Sequence, residues 1–393
     1  MTQDAAPPAA GASRKPLFRR ALDAAPGQLH FAAHSHHIWP DASHDGQLAC
    51  WTDAARLADR KWAHVMGAVW PAAQRHVAAE LHLPDPATVA FAGNTHDFLI
   101  RIVSAHPHRP LRVLASDGEF HSFRRQAARW VEAGTIRLET VPVAGADFSD
   151  RFLARARSGE HDLIWLSQVM FGTGQVFTDL EALAAIARPE GPWVAIDGYH
   201  GFMAIETDLA RVADRIFYVA GGYKYAMAGE GVAFLHAPPG YGPRPGVTGW
   251  YAEFEDLAAP PGQIGYAADA RRFLGATFDP SGLYRFVAVR DMLAAQGLDT
   301  RAINAATAQL RDRLLARIGE TPLAAARLLN PPGDGPQARF LAFAHPHAQG
   351  WQAALERADA IVDVRGDVLR IGFGLYQDEG DVDRLIDLLK RQL

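Results

Sequence analysis

The chain has 393 residues, too many for one compact core of ordinary size, so two packed units are expected. Hydrophobic residues at 49% and charged ones at 21% describe an ordinary globular protein, and no apolar run is long enough to span a bilayer. A net charge of −5 argues against nucleic acid or an anionic membrane as partner, and the single cysteine, Cys50, excludes an internal disulfide framework.

With no signal-peptide pattern, the expected location is the cytoplasm. The first twelve residues are rich in Ala, Pro and Gly and are expected to be disordered, opening a leader and N-terminal arm over residues 1–28. A short strand is predicted over 29–33, then a long helical stretch over 42–81 with a break near Pro71. From residue 89 onward strands and helices alternate. Strands are predicted at 89–91, 111–115, 136–143, 163–166, 193–196, 216–219 and 232–235, and helices at 95–104, 122–133 and 180–187. The alternation implies an α/β fold, a mostly parallel sheet covered by helices, with ligands at the carboxyl ends of its strands. The last two strands share a glycine-rich connection and can pair antiparallel. Residues 241–280, rich in Gly and Pro, are expected to loop over the site. A helix over 283–318, weak at Gly297, then leads into a smaller α+β unit. That unit comprises a strand at 340–344, a helix at 351–358, strands at 361–364 and 369–373, and a helix at 381–393. The expected division is a large domain over 29–282, and a connecting helix with a small C-terminal domain over 283–393.

Two strand ends carry the chemistry. Ile196-Asp197-Gly198-Tyr199-His200 ends an apolar run on a carboxylate followed by a histidine, and Val219-Ala220-Gly221-Gly222-Tyr223-Lys224-Tyr225 ends another on a lysine. A carboxylate and an amine on neighbouring strand ends are what pyridoxal phosphate (PLP) needs. The acid keeps the pyridine nitrogen protonated so that the ring acts as an electron sink, and the amine forms the Schiff base. Taken singly, Asp197 would serve as a helix N-cap and Lys224 as a solvated lysine; the pair is the signal.

Asn94 and Thr95, after Gly93, lie between a strand and a helix. Free N–H groups there could cradle a phosphate, or the two side chains could simply cap the helix. Phe120 and Ser122 could lay an aromatic face on a planar cofactor, or serve as core residue and cap. Arg370, inside the apolar Leu369-Arg370-Ile371, needs an anionic partner, either a substrate carboxylate or a structural acid. His34-Ser35-His36-His37 follows a strand and admits a metal-dependent hydrolase built on His34 and His36, but later strand ends supply no second His-rich cluster. No metal is assigned, and His34 and Ser35 are taken as candidates for substrate binding.

In this combination the residues resemble the class V aminotransferase superfamily of fold-type I PLP enzymes, from about residue 29 to the C-terminus, and within it the kynureninases. Asp197-Gly198-Tyr199-His200 is similar to the family's Asp-x-x-His, which implies pairing of Asp197 with the ring nitrogen and of His200 with the ring hydroxyl. Tyr223-Lys224-Tyr225 with Gly229-Glu230-Gly231 resembles the kynureninase lysine segment and implies that Tyr223 reaches the phosphate. By the same resemblance Thr95 and Trp250 bind phosphate, Phe120 stacks on the ring, and Thr173 sits in a turn beside it. Arg370 binds the substrate α-carboxylate, and Thr277 reaches the partner's phosphate in a homodimer with composite sites. The implied activity is hydrolysis of the Cβ–Cγ bond of kynurenine to anthranilate and alanine, with Lys224, Asp197 and Tyr223 as catalytic residues. The alternative is another class V activity, an aminotransferase or β-eliminating lyase acting on a different amino acid. Departures from the kynureninase pattern are Gly222 in place of a serine, Phe123 in place of a second acid, and Gly172 in place of a tyrosine.

Overall fold

The fold is built around seven strands that carry almost no exposed side chains. The computed structural model describes residues 13–256, 260 and 262–393. The expected disordered leader at 1–12 and part of the 241–280 segment lie outside the described residues. After β1 (Leu29–His30), the chain forms β2 (Val89–Ala92), β3 (Leu111–Ser116), β4 (Ile136–Val141), β5 (Leu163–Ser167), β6 (Trp193–Asp197), β7 (Ile216–Gly221) and β8 (Ala233–His236). Strands β5 and β7 are buried at every position, the continuous apolar pattern of a sheet covered on both faces.

The sheet order is β2-β8-β7-β6-β5-β3-β4. Strands β4, β3, β5, β6 and β7 run parallel, while β8 is antiparallel to both β7 and β2. The carboxyl ends of β2, β3, β5, β6 and β7 therefore share one edge of the sheet, where an α/β fold gathers its ligand-binding residues. The antiparallel pair expected around Lys224 is the β7–β8 pair.

A second sheet holds β9 (Arg327–Leu328), β10 (Phe340–Ala344), β12 (Asp363–Arg365) and β13 (Val368–Gly372) in the order β12-β13-β10-β9, all antiparallel. It has its own core, with Leu310, Leu341, Leu369 and Leu385. The strand expected over 29–33 is only two residues long and pairs with β11 (Ala360–Ile361), so Leu29 and Phe31 join this second core. A small third cluster, including Val169, Ile205 and Phe340, lies between the two.

Several expected elements are redrawn. The N-terminal arm is ordered from Ser13: Phe18 is fully buried, helix Arg19–Ala24 follows, and the Lys15 amine lies 2.7 and 2.8 Å from Asp378 and Asp381. The long helix does not break at Pro71. It ends after Leu57 at Ala58, whose φ is +50°, and resumes through short turns to helix Trp70–Leu81. Pro71 sits in the first turn of that last helix, directly after a π-helical turn over Val65–Val69, so the bonding pattern changes there without a break. The 283–318 helix is two helices, Ser281–Ala295 and Thr300–Ala316, parted at Gly297, where φ is +62°. Helix Phe148–Ala156 was not foreseen, and the helix expected over 180–187 stops at Ala184.

Candidate active site

A cavity of about 980 Å³ opens at the shared strand edge. Its wall includes Asn94, Thr95, Phe120, Ser122, Asp197, His200, Tyr223 and Lys224, eight of the residues singled out from sequence. Four strand ends deliver them, and a fifth adds Ser167. Asn94 and Thr95 follow β2, with Asn94 accepting the Asp97 N–H at 3.0 Å as the helix N-cap and Thr95 opening helix Thr95–Ala105. Phe120 and Ser122 follow β3, Ser167 ends β5, Asp197 ends β6, and Lys224 follows β7.

Lys224 is buried. Its Nζ donates to the main-chain oxygen of His34 at 3.0 Å and lies 3.0 Å from Nε2 of His200. Burial, helped by the nearby Arg370 charge, brings the amine down to about 7. Burial holds His200 well below its ordinary value, which favours the neutral ring beside the amine. The rings of Tyr199 and Tyr223 are 4.8 Å apart, and Nζ lies 5.4 and 5.3 Å from their centres. His36 stacks on the Tyr223 ring at 4.9 Å.

Asp197 is half-buried, and one carboxylate oxygen accepts the Tyr199 N–H at 2.9 Å. Burial raises it to about 6, opposed by that N–H and by the Lys224 amine. A residue that sequence reasoning missed lies beside it. Glu119 is fully buried and takes hydrogen bonds from Ser116 Oγ at 2.6 Å, Ser167 N at 3.1 Å and Ser167 Oγ at 2.6 Å. Ser167 is the register partner of Asp197 across β5 and β6. Burial, with the Asp197 charge adding, pushes Glu119 up to about 7. No local pattern marks it, since Ser167 is 48 residues away.

The sign of the Glu119 effect is fixed by linkage. A carboxyl raised to about 7 stabilises the fold fully below its unfolded value and loses that contribution as pH rises through 7. Glu119→Gln removes the titration, so relative to this variant the wild type loses roughly 3 kcal/mol between pH 4.5 and 7.5. Parallel denaturant melts of the two apoproteins across that range measure the difference; parallel curves would mean Glu119 does not titrate there.

The other sequence-derived residues lie off this wall. Arg370 is buried, paired with Asp363, its register partner on β12, and donates from Nη1 to the Phe171 carbonyl at 2.5 Å. Of the two partners the sequence left open, the structural acid is the one in contact. The His34 ring is fully buried on Phe340, 4.7 Å between centres, and both of its nitrogens lack hydrogen bonds. Ser35 is half-buried against His36. Thr173 accepts the Gln175 N–H at 3.3 Å in the turn after Phe171, and Phe171 itself reaches the wall. Trp250 and Thr277 are exposed.

Gly221 and Gly222 explain how the lysine loop packs. A Cβ at 221 would run into the Tyr199 hydroxyl, and one at 222 into the Val232 side chain, with Ala228 Cβ at 3.2 Å. Restoring the serine of the kynureninase pattern, Gly222→Ser, is therefore expected to destabilise by about 1–3 kcal/mol in a denaturant melt. A neutral result would show that Val232 yields freely.

The cavity fits PLP on its own chemistry. It offers a carboxylate at one strand end, a buried amine with a lowered pKa at the next, a neutral histidine within reach of that amine, an aromatic side chain and a helix N-terminus. This fold and site define a fold-type I PLP-dependent enzyme. The chain belongs to the aminotransferase class-V family, which it matches over residues 63–385. It is 28% identical over 357 residues to isopenicillin N epimerase of Streptomyces clavuligerus, covering 86% of this chain and 87% of that protein. Among solved structures it superposes on the cystine C–S lyase C-DES in complex with cysteine persulfide, with a TM-score of 0.80 and 18% identity over 94% of this chain and 99% of that one. It also superposes on the cysteine desulfurase CsdA of Escherichia coli, with a TM-score of 0.77 and 18% identity over 96% and 97%. At such identities the structures speak for the fold alone. None of the described helices is long and apolar enough to cross a membrane.

Proposed function

We propose that this protein moves the proton at the α-carbon of an amino acid, an epimerase-type reaction within the class V range. The observation that carries the reading is the state of Lys224, a buried amine brought down to about 7 and held 3.0 Å from a neutral histidine. An amine so placed exchanges protons near neutral pH, as general acid–base catalysis requires. PLP, when bound, supplies an electron sink for the charge left at the α-carbon. Lys224 takes the proton at Nζ, and His200 orients that amine through Nε2. Asp197 would hold the pyridine nitrogen and Phe120 would pack against the ring of a bound cofactor, as both line the cavity. Tyr223 lines the same cavity, with its ring centre 5.3 Å from Nζ, and is the candidate for a second proton-carrying group.

The epimerase relative supports this form of the alternative over kynureninase-type hydrolysis. Gly222 and Phe123 point the same way, since Phe123 stacks on Trp165 at 5.4 Å where the kynureninase pattern has an acid. The lone Cys50 lies in helix Asp41–Leu57, which favours the epimerase reading over a desulfurase with a loop cysteine. Arg125 and Arg129 line the cavity, Arg129 at 3.6 Å from Glu132 on the same wall, and Arg125 favours a substrate with a second, distal carboxylate. A homodimer is part of the proposal: Trp39, Trp51, Trp250 and Phe254 are exposed, and Trp250 and Thr277 lie off their own cavity as residues serving a partner's site would.

The test is α-deuterium exchange. The PLP-loaded protein is incubated in D2O with L- and D-amino acids, including acidic ones, and with L-kynurenine. Exchange with loss of optical rotation is the expected result. Anthranilate release from kynurenine, or an amino group handed to an added keto acid, would overturn the epimerase reading in favour of hydrolysis or transamination.

A further inference from the structure

A second cavity, of about 320 Å³, lies where helix Thr300–Ala316 meets Glu206, the segment 337–339 and Phe373. Arg301, Arg311 and Arg339 line it. The first two are ten residues apart on the helix, about 80° apart around it and about 15 Å along it, and both reach the cavity. Arg339 is buried. Its Nε and Nη2 bond Asn304 Oδ1 at 3.1 and 2.8 Å, Nη2 also donates to the Met203 carbonyl, and Nη1 makes no hydrogen bond with the described residues. Its guanidinium carbon sits 4.8 Å over the ring of Tyr225, the residue after Lys224.

Among the described residues no carboxylate pairs with Arg339. Glu80, the acid whose field reaches it, is itself 2.8 Å from Arg290. Burial lowers the guanidinium only to about 10, so it is charged at neutral pH. A buried cation without a counter-ion is expensive unless something supplies one. Arg301 and Arg311 do have acids, Glu206 and Asp312, each 51% or more exposed, and such surface pairs are weak and easily exchanged.

We infer that this cavity is a binding site for a small dianion, a short dicarboxylate or a phosphate monoester, with Arg339 at its floor and Arg301 and Arg311 at its rim. Arg339 keeps its Nη1 donors for an oxyanion, since Nε and Nη2 are taken by Asn304 and Met203, and the charge of a guanidinium suits carboxylate and phosphate alike. The volume is at the lower end for ligand pockets and suits a compound of a few carbons. The site is separate from the PLP cavity and does not rest on the proposed reaction.

Titration calorimetry on the PLP-loaded protein tests it, with succinate and inorganic phosphate as separate probes. The cofactor then occupies its own phosphate cradle. One saturable site per chain is expected for at least one probe, and which probe binds tells carboxylate from phosphate. In the double variant Arg301→Gln/Arg311→Gln, affinity should fall about tenfold or more while the visible absorbance stays unchanged. Both side chains sit at the rim, so the test does not depend on an Arg339 variant that fails to fold. Absence of saturable binding for both probes, or equal binding by wild type and double variant, would overturn the assignment.

Discussion

Lys224→Ala is expected to abolish turnover, by about four orders of magnitude or more, and to remove the visible absorbance of the PLP-loaded protein. Nζ is proposed both as the attachment point and as the group that carries the α-proton, so one truncation removes both. The structure predicts that the loss is chemical and not a collapse of the fold. The amine is buried at a cost, its two partners are a main-chain oxygen and a histidine, and its ordinary charge is already suppressed. The melting temperature of the apoprotein should therefore shift by no more than a few degrees. A variant that unfolds would assign Lys224 a structural role, and one that keeps both colour and turnover would refute its assignment as the cofactor lysine.

Asp197→Asn carries the second largest effect. Asparagine keeps an oxygen for the Tyr199 N–H and removes only the charge proposed to pair with the pyridine nitrogen. Loss of one preorganised electrostatic partner at a reacting centre typically costs 10²–10³-fold in turnover, and that is the expectation here. The substitution also relieves Glu119, because the Asp197 charge is one of the causes that raise it. The Glu119 titration should then move toward lower pH, visible as a shift in the stability difference between Asp197→Asn and Asp197→Asn/Glu119→Gln. Turnover within tenfold of wild type would mean that the ring nitrogen does not depend on this acid.

What the sequence conveyed follows from how local each signal is. The strand ends at Asp197 and Lys224 were legible because β6 and β7 are uninterrupted apolar runs that stop on polar residues. The break at Gly297 was legible because glycine takes the positive φ found there. The break at Ala58 was not, since alanine has no preference for φ near +50° and tertiary packing alone imposes it. Glu119 was invisible because its meaning comes from Ser116, Ser167 and Asp197, which three different strands bring together. Arg370 was legible as a buried cation, but its partner was settled only by the β12–β13 register that sets Asp363 opposite. The ordered N-terminal arm depends on contacts such as Lys15 with Asp378, which no window of local composition contains.

The chain has only four lysines, Lys15, Lys61, Lys224 and Lys390, which makes the central claim open to a direct measurement. The protein is loaded with PLP, reduced with borohydride to fix the cofactor covalently, digested, and mapped by mass spectrometry. The account predicts one pyridoxyl-phosphate adduct per chain, on the peptide containing Lys224. An adduct confined to Lys15, Lys61 or Lys390, or none on a protein that binds PLP, would contradict it.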